Sequence, residues 1–516
     1  MPIKKLLLIL SLSSSSLAFA AESAVMTESA HLNVHGTDLS QYIAPSSYAK
    51  VNLSESFGQL ISESQILSYQ PDELHTYYRD KVCEDLFWFN CKYNLKNIKQ
   101  YTGVDLKQES GLIGQSFSQI DAHRVIYTSL GMDKQAHPVS GAILIPQGSE
   151  PLKGVVLFYH FTVLNKTNIP SNFAKDEFKL SKTMASTLAS DGYAVVMPDY
   201  LGMGADESAV HPYVIYPEVN ALSGIYMLDL LKKIQPNLKY KLVNNQIPLY
   251  ISGYSEGGAY ALWAAKILQD NKGYLATHGY SLIKTVPMEG AYNLSKVTLP
   301  FLLDNSASKI EHAPYYVADA RIASFTKPGF VANVLNSYAH FHLNDNESAV
   351  FSEDFGVCKD CEIKGTAYNL AGLLQSPAAE IVKYKLIYNA ASETGYSNSD
   401  NSILPLTNVQ LLKNPQFIDQ VEAADIYNWR ATTPINFLTL EYDSNVTRLN
   451  SETAYAAMAA QGSSSLNLTV VPNQNFKTKS YMPFSDMNID HPSGLTFMLL
   501  FARNQFDESS PSVSGN

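Results

Sequence analysis

Short runs of consecutive apolar residues recur along the chain, and they predict buried strands. The runs are 155–159, 193–198, 247–252, 282–287, 435–440 and 466–471. Their length and continuity are typical of strands that a sheet buries on both faces. Two earlier segments, 125–128 and 139–146, predict a pair of strands ahead of them.

Segments with helical periodicity lie between these runs. In residues 217–234 the apolar positions that share one face are Ala221, Ile225, Leu228 and Leu231. Residues 256–269 predict a second helix. Strands that alternate with helices are typical of a mostly parallel sheet covered by helices on both faces. The sequence therefore predicts an α/β protein whose regular pattern starts near residue 122.

The alternation stops between residues 300 and 430. That stretch contains aromatic residues and helical pieces but no run of buried strands, and it is too long for a simple loop. We interpret residues 300–430 as a cap or lid insertion in a core made of residues 116–299 and 431–516. Residues 21–115 lack a strong periodicity, and we interpret them as an N-terminal extension.

Residues 1–20 have the pattern of a secretory signal peptide. Lys4 and Lys5 precede an apolar run, and Ala18-Phe19-Ala20 offers a small-x-small cleavage site. The apolar run is too short to span a hydrocarbon core of about 30 Å. The alternative to a cleaved signal peptide is an uncleaved N-terminal anchor. We predict cleavage after Ala20 and a secreted or periplasmic protein.

Composition excludes several classes of function. With 516 residues and 46% hydrophobic content, the chain is not a disordered protein. The 37 basic residues against 48 acidic ones give a net charge of -11, which excludes nucleic acid as a partner because phosphates require a basic surface. No later stretch is long and apolar enough to predict stable membrane insertion. We find no metal-ligand set and no nucleotide loop, so we expect neither a metal nor a cofactor. The oligomeric state does not follow from the sequence.

Four cysteines fit an oxidising compartment, and they are Cys83, Cys91, Cys358 and Cys361. They allow three pairings. The short separations favour the local disulfides Cys83–Cys91 and Cys358–Cys361. A redox or zinc role for the C-x-x-C at residues 358–361 is the alternative, but the sequence before it reads as a loop rather than a strand.

The strongest chemical motif is Gly253-Tyr254-Ser255-Glu256-Gly257-Gly258, which lies between a predicted strand and a predicted helix. That context is required of a nucleophile elbow, a tight turn that exposes a reactive serine. Side chains beside the serine would collide with neighbouring backbone, and Gly253 and Gly257 remove those side chains. The motif predicts that Ser255 is a nucleophile and that the helix N-terminus stabilises a developing oxyanion.

A serine hydroxyl needs a base, and on this type of fold the chain order is serine, acid, histidine. His491 is the one histidine after the last predicted strand, so we predict that it is the base. Asp443 directly follows the strand at 435–440 and is predicted to orient the imidazole. The less favoured acids lie before that strand or very close to His491, namely Asp419, Asp425, Asp486 and Asp490.

An oxyanion hole requires two backbone N–H groups near the developing charge. Glu256 follows the nucleophile directly and is predicted to supply the first. The loop after the strand at 155–159 is predicted to supply the second, from Phe161 or alternatively from Thr162. We expect His160 to shape this loop rather than to catalyse.

Further segments carry a family resemblance. They are a strand followed by Asp-Tyr-x-Gly at 195–204, His-Pro-Tyr at 211–213, the segment 289–295 and the acid loop 443–446. From about residue 122 to residue 503 the chain resembles the α/β-hydrolase superfamily, and within it the secreted lipases and esterases of bacteria and fungi. The resemblance implies a mostly parallel central sheet flanked by helices, with a large cap insertion. It likewise implies Ser255 as nucleophile, Asp443 as acid and His491 as base.

The sequence departs from the family pattern in two loops. Phe161 stands where the family usually has glycine, and Thr447 stands where its acid loop usually has proline. The favoured function is a secreted serine hydrolase that cleaves small-molecule or lipid esters through an acyl-enzyme on Ser255. The alternatives are a secreted serine peptidase and a non-catalytic binding protein on a hydrolase scaffold.

Overall fold

The computed structural model describes residues 33–34, 37–85, 117–163, 166, 168–176, 178–206, 209–303, 320–346, 349–350, 410–471, 473 and 490–509. The predicted signal peptide and most of the predicted cap insertion lie outside these residues. The same holds for three of the four cysteines, and the side chain of Cys83 is not described. Both disulfides and the cleavage after Ala20 therefore stay predictions.

The described strands and helices alternate along most of the chain. The strands are β1 (Asn33–Val34), β2 (Thr37–Asp38), β3 (Leu60–Tyr69), β4 (Phe117–Leu130), β5 (Ala136–Gly148), β6 (Gly154–Tyr159), β7 (Tyr193–Pro198), β8 (Ile247–Tyr254), β9 (Tyr280–Met288), β10 (Ile435–Leu440) and β11 (Leu466–Val471). The helices are α1 (Pro71–Asp85), α2 (Leu180–Thr187), α3 (Pro217–Ile234), α4 (Glu256–Asp270), α5 (Tyr274–Thr277), α6 (Leu299–Leu303), α7 (Ala320–Leu343), α8 (Pro415–Ala423), α9 (Leu449–Ala460) and α10 (His491–Ser509).

Nine of the described strands form one sheet in the order β11-β10-β9-β8-β6-β7-β5-β4-β3. Six neighbouring strands pair in parallel, in the order β11, β10, β9, β8, β6 and β7. The strands β5, β4 and β3 extend the sheet beyond β7 in antiparallel fashion. The predicted mostly parallel α/β sheet is thus confirmed. Because parallel strands share a direction, β6 to β10 end at one edge of the sheet, and loops from that edge can meet in one site.

The apolar runs supply the core on both faces of the sheet. Side chains alternate between faces along a strand, so Leu157 and Tyr159 of β6 pack with α3 and α4, whereas Val156 and Phe158 pack with α2 and α10. This burial on both faces is the reason that these strands read as continuous apolar runs. None of the described helices is long and apolar enough to cross a membrane.

The N-terminal extension contributes to the sheet in a way that the sequence did not predict. Strand β3 pairs with β4 in antiparallel fashion, and α1 follows it. Most of β3 is exposed, including the side chains of Ile61 and Ile66. A strand with this little burial does not produce the apolar run or the strict alternation that identifies a strand in a sequence.

The described part of the predicted insertion packs beside the carboxyl end of the parallel strands. Ser337 of α7 accepts a hydrogen bond from the Tyr213 backbone N–H at 3.1 Å. Its hydroxyl donates to the His211 carbonyl oxygen at 2.8 Å. Helix α7 is thereby attached to the His-Pro-Tyr segment. Tyr338, one of the tyrosines of this insertion, is buried against Phe417 of α8.

Candidate active site

Ser255 lies in a strained turn between β8 and α4. Its φ is 60° and its ψ is −121°, a conformation that residues with a side chain adopt rarely. The backbone N–H of Ser255 donates to the Met288 carbonyl oxygen at 3.0 Å, which attaches the turn to the end of β9. The side chain is 4% exposed. This geometry matches the elbow that the Gly-x-Ser-x-Gly motif predicts.

The two motif glycines allow the elbow to approach its neighbours closely. A side chain at Gly253 would overlap the Gly257 carbonyl, and one at Gly257 would overlap the carbonyl oxygens of Tyr159 and His160. The first turn of α4 therefore lies directly on the end of β6 and on the predicted oxyanion loop. Side-chain-free positions are needed here because the obstacles are backbone atoms, which cannot rotate away.

We expect Gly257→Ala to displace the elbow and to reduce turnover. The added methyl group would force the backbone of α4 or of the loop after β6 to move, and overpacking of this kind costs about 1–3 kcal/mol. A displacement of about 1 Å at a reacting centre lowers the rate on the order of 100-fold. Ester turnover and the thermal transition of the variant measure both effects.

Gly273→Asn is the matched control. A side chain at Gly273 would meet nothing within 4 Å, and asparagine is the non-glycine residue that the positive φ of 94° strains least. The control should retain full turnover. Unchanged turnover and thermal stability in Gly257→Ala would contradict the close approach of the elbow to β6.

His491 and Asp443 form a buried hydrogen bond. Nδ1 of His491, at the start of α10, lies 2.7 Å from Oδ2 of Asp443, in the loop after β10. The other oxygen of Asp443 accepts the backbone N–H groups of Asn445 at 2.7 Å and Val446 at 2.8 Å. These bonds orient the carboxylate, and Asp443 is fully buried. The structure thus brings together the base and the acid that the chain order predicts, although they lie 48 residues apart.

The strand that precedes Ser255 reaches the same histidine. The hydroxyl of Tyr254, the neighbour of Ser255, donates to the His491 carbonyl oxygen at 2.8 Å, and the two rings lie 5.0 Å apart. Among the described contacts there is no hydrogen bond between Ser255 and His491. Such bonds are often long before substrate binds and shorten in the reacting complex.

Asp490 holds the acid loop against the start of α10. Its carboxylate accepts the Ser444 backbone N–H at 2.8 Å, the Ser444 hydroxyl and the His491 backbone N–H at 2.7 Å. Burial raises the pKa of the Asp490 carboxyl to about 6, and the charge of Asp443 also raises it. Asp490 bonds to the backbone of His491 rather than to its ring, so its place differs from that of Asp443. Of the other acids that the sequence offered, Asp425 bonds to Ser295 and Asp419 is exposed, whereas Asp486 lies outside the described residues.

Glu289 is a buried acid of the site that the sequence analysis did not single out. It follows β9, is 1% exposed, and a carboxyl oxygen of Glu289 lies within 4.8 Å of one of Asp443. Burial raises the pKa of Glu289 well above its ordinary value, and the Asp443 charge raises it further. The two acids lie 154 residues apart (443 − 289), so no local spacing could have linked them.

Glu289, Asp443 and His491 each offer one atom, and these atoms lie within 4.8 Å of one another. Such a donor set also occurs around divalent metals. Here, however, the groups already have hydrogen-bond partners, since Nδ1 of His491 lies 2.7 Å from Asp443 and the Glu289 carboxyl accepts the Leu440 backbone N–H. We therefore interpret the cluster as a hydrogen-bonded network.

The predicted oxyanion loop follows β6 and contacts the elbow. No described residue accepts a hydrogen bond from the backbone N–H of Phe161. The Glu256 N–H belongs to the first turn of α4, where helices leave their N–H groups unpaired. The Thr162 hydroxyl lies 2.8 Å from the Tyr213 hydroxyl. The phenyl ring of Phe161 packs against Phe178 with ring centroids 5.0 Å apart.

His160 is built into this loop as a structural residue. Its Nδ1 lies 2.7 Å from the Phe161 carbonyl oxygen, and its ring stacks on Tyr200 with centroids 4.1 Å apart. Burial lowers the pKa of His160, which favours the neutral ring. Buried Asp199 fastens the same region, since its carboxylate accepts the Ser140 hydroxyl at 2.6 Å and the Ser171 N–H at 3.0 Å.

The side chain of Glu256 has a role that the motif did not predict. One carboxylate oxygen lies 2.9 Å from Nε2 of His211 and accepts the Tyr260 hydroxyl at 2.7 Å. Burial alone would raise the pKa of Glu256, but the bond with His211 and the further interactions lower it below its ordinary value. The residue after the nucleophile is thus a buried carboxylate anchored to the His-Pro-Tyr segment, 45 residues before it.

Comparisons with known proteins agree with this geometry. Residues 168–273, which include the elbow, match the model of the secretory lipase family. A comparison with the curated proteins finds no match. A solved structure of a protein from Legionella pneumophila is similar at 17% identity, with a TM-score of 0.62 over 89% of this chain and 100% of the other.

A second solved structure is the rice cell wall degrading esterase LipA from Xanthomonas oryzae. It is 16% identical, with a TM-score of 0.63 over 88% of this chain and 99% of that chain. The resemblance drawn from the motifs is therefore confirmed. The chain has the α/β-hydrolase fold, and its residues 168–273, which include the elbow, match the secretory lipase family.

Proposed function

We propose that this protein is a secreted serine hydrolase that cleaves carboxylic esters through an acyl-enzyme on Ser255. The match to the secretory lipase family supports ester hydrolysis, and so does the fold shared with an esterase. The observation that carries the proposal is the pairing of His491 with Asp443 beside the elbow of Ser255. A serine in a strained turn, a neutral imidazole and a buried carboxylate are the three parts that acyl transfer requires.

The chemistry follows from these positions. The Ser255 hydroxyl attacks the ester carbonyl carbon while Nε2 of His491 takes its proton. Asp443 keeps the proton of the ring on Nδ1 and stabilises the imidazolium that forms. The backbone N–H groups of Glu256 and of Phe161, or Thr162 in place of Phe161, stabilise the oxyanion.

The intermediate then collapses in a second step. The carbon–oxygen bond of the ester breaks, and His491 donates its proton to the departing alcohol, which leaves the acyl group on Ser255. Water attacks this acyl-enzyme, His491 again accepts the proton, and the carboxylic acid is released as Ser255 recovers its hydroxyl.

The surroundings of the oxyanion loop support an apolar acyl group. Phe161 packs with Val163, Ile169 and Met203, which are buried together beside the loop. Apolar lining with few polar groups is typical of pockets that bind apolar ligands. Phe161 replaces the glycine of the family pattern, so its ring adds to this lining.

The proposal is tested with p-nitrophenyl esters of acetate, butyrate and octanoate, with aminoacyl p-nitroanilides run in parallel. The protein is also treated with a fluorophosphonate, which labels activated serines, and the labelled residue is identified by peptide mass spectrometry. We expect turnover of the esters and labelling of Ser255. Turnover of the anilides alone would instead indicate the peptidase. Absence of both turnover and labelling would indicate a binding protein on the same scaffold.

Export is proposed from the N-terminal sequence and from the secretory family match. N-terminal sequencing of the protein recovered from the periplasm or medium of an expressing bacterium tests it. We expect the mature chain to begin at Ala21. Recovery of the uncleaved chain in the membrane fraction would indicate the N-terminal anchor instead.

A further inference from the structure

We propose that Glu289 is a positioning residue that holds Asp443 by donating a hydrogen bond from a protonated carboxyl group. The inference rests on the proposed function, because it assigns Glu289 to the same hydrolytic site. It adds a fourth member to the Ser255, His491 and Asp443 arrangement. The evidence is the place of Glu289 at the end of β9, its bonds to β10, and the distance of less than 4.8 Å between its carboxyl oxygen and that of Asp443.

Glu289 is fastened to β10 from both its backbone and its side chain. Its backbone N–H donates to the Leu438 carbonyl oxygen at 3.1 Å. One carboxyl oxygen accepts the Leu440 backbone N–H, and the other lies 3.2 Å from the Thr439 hydroxyl. These bonds aim the carboxyl group along the end of β10, toward the loop that carries Asp443.

Glu289, like Ser255, has a positive φ although it carries a side chain. Its φ is 48°, in the left-handed region that glycine adopts most easily. Glycine would adopt this φ more easily than glutamate. The presence of glutamate here is therefore explained by its side chain rather than by its backbone preference. Strained residues that a surrounding structure maintains are concentrated at functional sites.

Two buried carboxyl groups this close together require a shared proton. Ionising both would place two like charges within 4.8 Å of each other at buried positions. Asp443 accepts two backbone N–H groups and faces the His491 ring, so both of its oxygens are occupied by donors. The proton accordingly belongs to Glu289, whose own carboxyl has one backbone donor. The raised pKa of Glu289 agrees with this distribution.

The bond restricts the movement of the catalytic acid. The Asn445 and Val446 N–H groups hold Oδ1 of Asp443, and Oδ2 faces the imidazole. The Glu289 hydroxyl adds a donor from the neighbouring strand. Asp443 is thereby held from its own loop and from β9, which keeps the imidazole oriented for proton transfer.

Two substitutions of nearly equal size separate the proposed role from a packing role. In Glu289→Gln the amide oxygen can accept the Leu440 N–H, and the amide N–H can donate to Asp443. In Glu289→Met the side chain fills the space but donates nothing. We expect the glutamine variant to retain kcat within about threefold and the methionine variant to lose about 10- to 100-fold in kcat with little change in KM. Circular dichroism and the thermal transition establish that each variant is folded.

Loss of activity in Glu289→Gln equal to that in Glu289→Met would overturn the inference, and so would a folded methionine variant with full kcat. Glu289→Asp, which withdraws the carboxyl from Asp443, replaces the methionine variant if that variant does not fold. It should lose kcat in the same range, and full kcat in Glu289→Asp would also overturn the inference. Ser252→Ala is the control, because it removes a buried hydroxyl that bonds to the Val286 carbonyl oxygen and to neither Glu289 nor Asp443.

The wild-type enzyme and Ser255→Ala are measured in the same series. An inactive wild-type protein would contradict the proposed function. An active wild type, an inactive Ser255→Ala and equal activity in all Glu289 variants would leave the proposed function intact and would contradict only the role of Glu289.

Discussion

Replacement of Ser255 by alanine should lower the turnover of p-nitrophenyl esters on the order of 10⁵- to 10⁶-fold, as loss of a serine nucleophile does in other hydrolases of this mechanism. The reason is that the acyl-enzyme cannot form without the hydroxyl, whereas His491 and Asp443 stay hydrogen-bonded to each other. The fold should be unaffected, because alanine removes one oxygen from a side chain whose backbone conformation is maintained by Gly253, Gly257 and the bond to Met288. Steady-state kinetics and fluorophosphonate labelling measure the loss.

Ser252→Ala is the matched control for this variant. Ser252 is buried on the same strand, three residues before the nucleophile, and its hydroxyl donates to the Val286 carbonyl oxygen at 2.6 Å. Removing one neutral hydrogen bond costs about 1 kcal/mol of stability, with no loss of a reacting group. The control should therefore retain turnover and labelling. Ester turnover that persists in Ser255→Ala would contradict the proposed mechanism.

Replacement of Asp443 by asparagine should lower kcat on the order of 10⁴-fold, the loss that follows when the acid of a serine triad becomes an amide. The contacts of the two carboxylate oxygens explain the size of the effect. Oδ1 accepts the Asn445 and Val446 N–H groups, so the amide oxygen would occupy that place and the amide nitrogen would face His491. An amide N–H there requires Nδ1 to accept, which moves the ring proton to Nε2. The ring then cannot take the proton of Ser255.

Asp419→Asn serves as the control, because Asp419 is exposed on α8 and is an acid that the chain order also offered. It should retain full activity. The kinetics of both variants are compared at several pH values, since a tautomer effect lowers kcat across the whole range. Near-normal kcat in Asp443→Asn would show that another carboxyl, with Glu289 and Asp490 as the nearest, orients the imidazole.

Several features of the fold could be predicted because they depend on residues that are close together in the sequence. The strands β6, β7, β8 and β10 are buried along nearly their whole length and read as largely apolar runs, since helices cover both faces of that part of the sheet. The elbow is encoded by six consecutive residues. The glycines on either side of Ser255 allow the close backbone contacts that accompany its strained conformation. The order of Ser255, Asp443 and His491 along the chain follows from the order of the strands that precede them. By contrast, β3 was missed because its exposed side chains leave no pattern.

The sequence by itself determined the class of fold, the position of the elbow and the choice of Asp443 and His491 as partners. Only the tertiary structure decided that Glu289 lies beside Asp443, that Asp490 holds the acid loop and that the Glu256 side chain bonds to His211. The physical reason is the same in each case. These groups meet because parallel strands end at one edge of the sheet, and their separation along the chain, from 45 to 154 residues, carries no periodic signal. The sequence therefore does not reveal that these carboxyl groups are buried beside one another or beside a histidine.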